Sequence, residues 1–178
     1  MAEFEPRPLA NILVTGTPGT GKSSTAEMIA EKTGLKHFNV GEFVKVHKCH
    51  ESYDEEFDTH ILDEDKLLDL MEEIVGKEGG YVVDYHSCEL FPERWIDLVL
   101  VLTSDTNVLH DRLTERGYNA RKIEENMQCE IMMVVSESAF ESYPEEIVHK
   151  VPSNNVEDID SNAARAAAWL TAFQKEKK

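Results

Sequence analysis

Basic residues are scarce in this chain: 18 Lys and Arg face 35 Asp and Glu, a formal net charge of −17. Free duplex DNA and naked RNA are poor matches as principal ligands, because phosphate backbones are held by clustered Lys and Arg. A basic protein partner suits the charge better. Cysteine is also sparse, and Cys49, Cys88 and Cys129 form no C-x-x-C pair. An odd number of thiols fits a reducing compartment rather than a disulfide framework. No apolar run approaches about 18 residues and no apolar h-region follows the start, so neither a membrane span nor a signal peptide is expected. No Pro/Gly/Ser-rich linker, repeat or low-complexity tract divides the 178 residues, 41% of them hydrophobic. That is enough for one buried core. The expectation is a disordered tail over 1–10, where Pro6 and Pro8 sit among charges, and one monomeric domain over 11–178.

What is present is sharper. Gly16-Thr17-Pro18-Gly19-Thr20-Gly21-Lys22-Ser23 is an uninterrupted G-x-x-x-x-G-K-[ST] loop between the apolar run Ile12-Leu13-Val14 and a helix-forming stretch. Such a loop binds a nucleoside triphosphate. Its glycines, Gly16, Gly19 and Gly21, let backbone N–H groups, with that of Thr20 among them, turn inward around the phosphates at the positive end of a helix. Lys22 is expected to neutralise the β- and γ-phosphates, and the Ser23 hydroxyl to ligate Mg²⁺.

Strand-like runs at Asn11 to Thr15, His37 to Val40, Tyr81 to Tyr85, Leu98 to Thr103 and near Val148 to Val151 alternate with helical periodicity, which predicts a parallel α/β sheet. Leu67, Leu68, Met71, Ile74 and Val75 share one helical face. Ile123, Met127, Ile131, Val134 and Val135 share another, and Val156, Ile159, Ala163, Ala167, Leu170 and Phe173 mark a terminal helix. These stripes are read as core. The acid run from Glu51 to Asp65 is read as solvated surface.

A P-loop enzyme needs a second anchor for hydrated Mg²⁺, and Asp84, closing the strand Tyr81-Val82-Val83, has that placement. His86, two residues on, is a candidate catalytic histidine, although alone it reads more simply as structural. A helix capped by Asp105 or Ser104 and stopped at Gly117 carries Arg112 and Arg116 four residues apart, on one face, where two guanidiniums can grip phosphate oxygens. The competing reading is an exposed pair balanced by Asp111 and Glu115. A GTPase switch fits poorly, since no D-x-x-G or N-K-x-D motif is present.

The P-loop, Asn39-Val40-Gly41-Glu42, the acidic stretch Tyr53-Asp54-Glu55-Glu56-Phe57-Asp58 with Ile61-Leu62-Asp63-Glu64-Asp65, Val83-Asp84-Tyr85-His86, Phe91-Pro92-Glu93-Arg94-Trp95, Arg112-Leu113 with Arg116-Gly117-Tyr118-Asn119, Gln128-Cys129-Glu130-Ile131, and Glu146-Ile147-Val148-His149 with Pro152-Ser153-Asn154 together resemble the adenylate kinase isoenzyme 6 family. The resemblance implies a nucleoside-monophosphate-kinase type of P-loop fold with a five-stranded parallel sheet, an NMP-binding arm over about 39–62 and a short lid over about 115–125. It implies Mg-ATP-dependent phosphorylation of AMP, with other monophosphates as alternatives, and a slower ATPase. By position, Gly19, Gly21, Lys22, Ser23 and Ser24 would hold ATP phosphates and Arg116 the lid side of the site. Asp84 and His86 would be the strand-end acid and the characteristic histidine. Ser153 and Asn154 would lie near adenine, and Gly41 and Lys45 on the acceptor side. The implied partner is a basic small-subunit ribosomal protein, with nuclear and cytoplasmic residence and a role in small-subunit rRNA maturation.

Three departures from the family pattern are visible. Lys45 replaces an arginine and Glu42 an aspartate, so the AMP phosphate would meet a point charge rather than a planar fork. Ser87 replaces the glycine after D-Y-H. His47, Cys49, His50 and His60 form a loose cluster without paired metal-ligand spacing.

Overall fold

The computed structural model describes residues 4–56 and 59–177. Five strands build one parallel sheet: β1 (Ile12–Gly16), β2 (Lys36–Asn39), β5 (Tyr81–Asp84), β6 (Leu98–Thr103) and β7 (Val148–Pro152), in spatial order β2-β5-β1-β6-β7. All five fall where the apolar runs predict them. Alternating side chains explain why the central strands are almost wholly apolar. Leu13, Val83, Val99 and Val101 face one core with Met71, Trp95 and Val44, whereas Ile12, Val14, Val82, Leu98, Leu100 and Leu102 face another with Ala26, Ile29, Ala163 and Ala166. On the second face lie α1 (Lys22–Thr33) and α7 (Val156–Glu176); on the first lie α2 (Val40–Val46), α3 (Glu64–Met71) and α6 (Val134–Ser142). Among the described residues, no helix is long and apolar enough to cross a membrane.

Some expectations need revision. The acid run is surface, with Glu51, Glu55, Glu56, Glu64 and Asp65 exposed, but part of it is ordered as strands. His50–Asp54 (β3) and Thr59–Leu62 (β4) pair antiparallel as a separate hairpin, and the Asp54 carboxylate accepts from the Glu56 N–H at 3.0 Å in the turn. Phe57 and Asp58, part of the same acidic motif, lie outside the described residues. α3 does not continue as a regular helix through Ile74 and Val75 but widens into a π turn over Glu72–Gly76, keeping Leu67, Met71 and Val75 buried. The stripe Ile123 to Val135 is not one helix. α5 (Ala120–Ile131) ends at Met132, Met133 takes a left-handed φ of +52°, and α6 starts anew. α5 buries no residue fully, and Ile131 and Val134 stay 56% and 49% exposed, so that stripe is only partly core. Val156, at the first position of α7, is also exposed, because the buried line of that helix runs through Asn162, Ala163, Ala166 and Leu170.

Part of the segment expected as a tail is tied down. Arg7 reaches Asp97 at 2.9 Å and the Arg94 carbonyl at 2.9 Å, the Leu9 N–H donates to the Glu78 carbonyl, and Ala10 is buried. Next to it, the fully buried Asn11 bridges three segments. Its amide N–H groups donate to the carbonyls of Val75 and Trp95, both at 2.9 Å, and its oxygen accepts from the Tyr81 N–H at 3.0 Å.

Candidate active site

The carboxyl ends of β1 and β5 bring the predicted residues together, as expected of a parallel sheet. The loop leaving β1 needs glycine where it turns and where α4 (Thr106–Glu115) presses on it. Gly19 has φ +98°, and a Cβ there would stand 2.9 Å from both Leu109 and Leu113. Gly21 caps α1 at φ +90°, a conformation costly for any other residue. Thr20 is buried and its hydroxyl donates to the Thr17 carbonyl at 2.8 Å, which fixes the curl of the loop. Lys22, Ser23 and Ser24 then form the first turn of α1.

Ser23 and Asp84 meet. The Ser23 hydroxyl donates to Asp84 Oδ2 at 2.7 Å. Asp84 is buried and registers with Val14 across β1 and with Asn39 across β2. His37, a residue to which no sequence motif points, places Nε2 3.0 Å from the same Oδ2. Nothing in the order of residues signals this pairing, which depends on β2 lying beside β5. A cleft of about 400 Å³ opens from here, lined by Lys22, Ser23, Gly41, Lys45, Asp84 and His86 among others. The expected phosphate loop, strand-end acid, histidine and acceptor-side pair Gly41 and Lys45 therefore share one cavity. His50 and His60, stacked with ring centroids 4.4 Å apart, line its outer part.

Burial lowers the Lys22 pKa to about 8, with the Arg116 charge adding to the effect and Asp84 opposing it. Its nearest acceptor is the Thr17 carbonyl at 3.4 Å. Bound phosphates favour the ammonium form, so their affinity is fully present below pH 8 and declines above it. ATP binding measured by titration calorimetry is expected to be about tenfold weaker at pH 9 than at pH 7. An unchanged constant would show that Lys22 does not meet the phosphates. His86 opens into the cleft, yet burial by the surrounding protein lowers its pKa, with Lys22 adding to the effect. It is neutral at pH 7 and can accept or donate a proton there. Ser87, with φ −97°, needs no glycine.

The two arginines have different placements. Arg112, expected on phosphate, donates from Nη1 to the Ser153 carbonyl at 2.8 Å, the Ser104 hydroxyl at 3.1 Å and the Gly19 carbonyl at 3.3 Å. It braces the P-loop from the side. The Arg116 side chain is exposed and makes no hydrogen bond or ion pair among the described residues, yet lies close enough to Lys22 to repel its charge. The stretch 115–125 spans the end of α4, a turn at Gly117 and the first turns of α5. Ser153, expected beside the base, is fully buried and its hydroxyl donates to the Thr20 carbonyl. The Asn154 side chain accepts from the Asp105 N–H at 2.7 Å. Ser153 thus holds the loop after β7 against the P-loop, and Asn154 holds it against the start of α4. Glu130 on α5, given no role of its own in the sequence although it stands in the Gln128-to-Ile131 segment, also enters the site. Its Oε2 is buried without a hydrogen-bond partner among the described residues, and burial raises its pKa, with Thr17 and Lys22 opposing the rise.

Sheet order, phosphate loop and strand-end acid define a P-loop fold of the nucleoside-monophosphate-kinase type. The gluconokinase of Sinorhizobium meliloti has this fold too, with a TM-score of 0.55, 21% identity, and 94% of this chain and 98% of that one covered. A family model described as an AAA domain matches residues 12–133. The adenylate kinase isoenzyme 6 homolog of Dictyostelium discoideum is 48% identical over 160 residues, covering 90% of this chain and 91% of its own. That of Caenorhabditis elegans is 46% identical over 177 residues, covering 99% and 97%. The chain belongs to the adenylate kinase isoenzyme 6 family.

Proposed function

We propose that this protein is a Mg-ATP-dependent nucleoside monophosphate kinase that converts ATP and AMP to two ADP and also hydrolyses ATP slowly. The observation that carries this reading is the Ser23 hydroxyl 2.7 Å from Asp84 at the mouth of a cleft that also holds Lys45 and Gly41. The residues fit magnesium, which prefers oxygen donors: a hydroxyl and a carboxylate converge at the end of the phosphate loop. Bound there, Mg²⁺ would neutralise charge on the β- and γ-phosphates. The chain's own part is positioning and electrostatics. The P-loop N–H groups cradle the phosphates, Lys22 supplies a poorly hydrated cation, and exposed Arg116 is free to fold onto the transferring group. Lys45 draws the acceptor phosphate toward the same point, so attack in line needs no protein base. Purified protein with ATP, AMP and Mg²⁺ is expected to form ADP. Folded, ATP-binding protein that forms none would refute the assignment.

His86, neutral beside Asp84 and Lys22, is assigned to orienting water in the ATPase reaction. His86→Ala is expected to lower hydrolysis about a hundredfold with ATP affinity within about twofold of the parent. Equal turnover in a phosphate-release assay would remove His86 from the mechanism.

A second reading, a nucleotide-switched assembly factor acting in small-subunit maturation in nucleus and cytoplasm, is favoured by two observations. The chain has a net charge of −17, and Ile131, Met132, Met133, Val134 and Phe140 are 41–64% exposed in one region. Acid with exposed apolar surface suits a basic ribosomal protein. Pull-down with such proteins should survive raised salt; binding that vanishes entirely on screening would count as nonspecific charge attraction.

A further inference from the structure

Both side-chain hydrogen bonds to Asp84, from Ser23 at 2.7 Å and from His37 at 3.0 Å, end on one oxygen, Oδ2. The other, Oδ1, has no hydrogen-bond partner among the described residues and is not among the atoms sealed from solvent. Asp84 lines the cleft. The carboxylate is thus pinned at one corner and presents the other to the place where the nucleotide phosphates are assigned.

The two pins are not equivalent. Ser23 is exposed on the first turn of α1, and its hydroxyl is the group the P-loop offers to magnesium. A hydroxyl that turns to the metal leaves Asp84 with His37 alone. His37 does not have that freedom. It stands on β2 between Lys36 and Phe38, whose ring is buried and packs on Phe43 with centroids 4.9 Å apart. The β2–β5 ladder fixes its height, with His37 opposite Val82 and Asn39 opposite Asp84.

We propose that His37 is a positioning residue for magnesium-nucleotide binding, donating its Nε2–H to Asp84 Oδ2 so that Oδ1 faces the hydrated metal. The inference rests on the Mg-ATP reading of this cleft and adds a residue to it. Partners that orient a metal-associated carboxylate typically contribute about tenfold or more to metal affinity, because the carboxylate otherwise rotates among several orientations.

The test is nucleotide binding rather than turnover. A fluorescent ATP analogue is titrated with Mg²⁺ against the whole protein, with a parallel titration in EDTA. His37→Phe keeps a ring of similar bulk but removes the donor, and His37→Gln keeps an N–H donor. His37→Phe is expected to raise the Mg²⁺ midpoint about tenfold, with EDTA binding unchanged and His37→Gln within about threefold of the parent. A parental midpoint in His37→Phe overturns the proposal. So does an equal shift in His37→Gln, which would assign the effect to the ring, or an equal loss of binding in EDTA, which would assign it to general support of the pocket. Magnesium-dependent binding without ADP formation from AMP would remove the kinase reading while leaving His37 in place. Parental binding that ignores Mg²⁺ would remove His37.

Discussion

Lys22→Met is expected to lower ADP formation from ATP and AMP by about 10²- to 10³-fold, the usual loss when one positioned charge at a reacting centre is removed. The variant keeps most of the length of the side chain and an unbranched apolar stem. It removes an ammonium group that burial already disfavours, with a pKa lowered to about 8 and only a long approach to the Thr17 carbonyl. The folded protein below pH 8 therefore carries a charge that is better solvated in the unfolded chain, whose lysine titrates near 10.5. Between these values the unfolded chain binds more protons than the folded one, so this group's contribution to stability rises with pH across that window. Lys22→Met lacks the rise, and its melting temperature at pH 7 is expected to equal or exceed the parental value. Initial rates and a thermal melt on one preparation check both halves. Turnover above a tenth of the parent, or a clearly lower melting temperature, would contradict this account of Lys22.

The second large effect concerns stability. Asn11→Ala leaves the buried carbonyls of Val75 and Trp95 and the Tyr81 N–H without their partner. No water-exposed alternative exists at a fully buried position, and an unsatisfied buried polar group is costly. The loss is expected to be about 3 kcal/mol, or roughly 6–12 °C in melting temperature for a domain of this size. Urea unfolding with a parental slope and a lower midpoint is the measurement. A change below about 1 kcal/mol would mean that the three segments hold together without the bridge.

Asn11 is legible in the sequence only as the start of a strand, and the reason is general to this chain. Motifs are legible where chemistry is local. The P-loop, the apolar strands and the strand-end placement of Asp84 are written in consecutive residues, and the fold reproduces them. The β3–β4 hairpin is not legible, because His50–Asp54 and Thr59–Leu62 are mostly polar and show no apolar alternation. The break between α5 and α6 is hidden because Met133 adopts the left-handed conformation without the glycine that usually marks it. Arg112 and Arg116 share a helical face by spacing, but only packing reveals that one is locked against Ser153 and Gly19 while the other is free. His37 and Glu130 enter the site through strand order and helix docking, neither of which leaves a local signature.

The three thiols differ in a way that experiment can use. Cys49 and Cys88 are buried, and burial raises the pKa of both, so each is a poor nucleophile. Cys129 is only half-covered, with its sulfur 3.8 Å from the Thr17 hydroxyl. A maleimide dye added to the unaltered protein would therefore attach chiefly to α5, beside the loop that curls round the phosphates. The molecule carries its own labelling handle, from which nucleotide binding at that loop can be followed by fluorescence without engineering a cysteine.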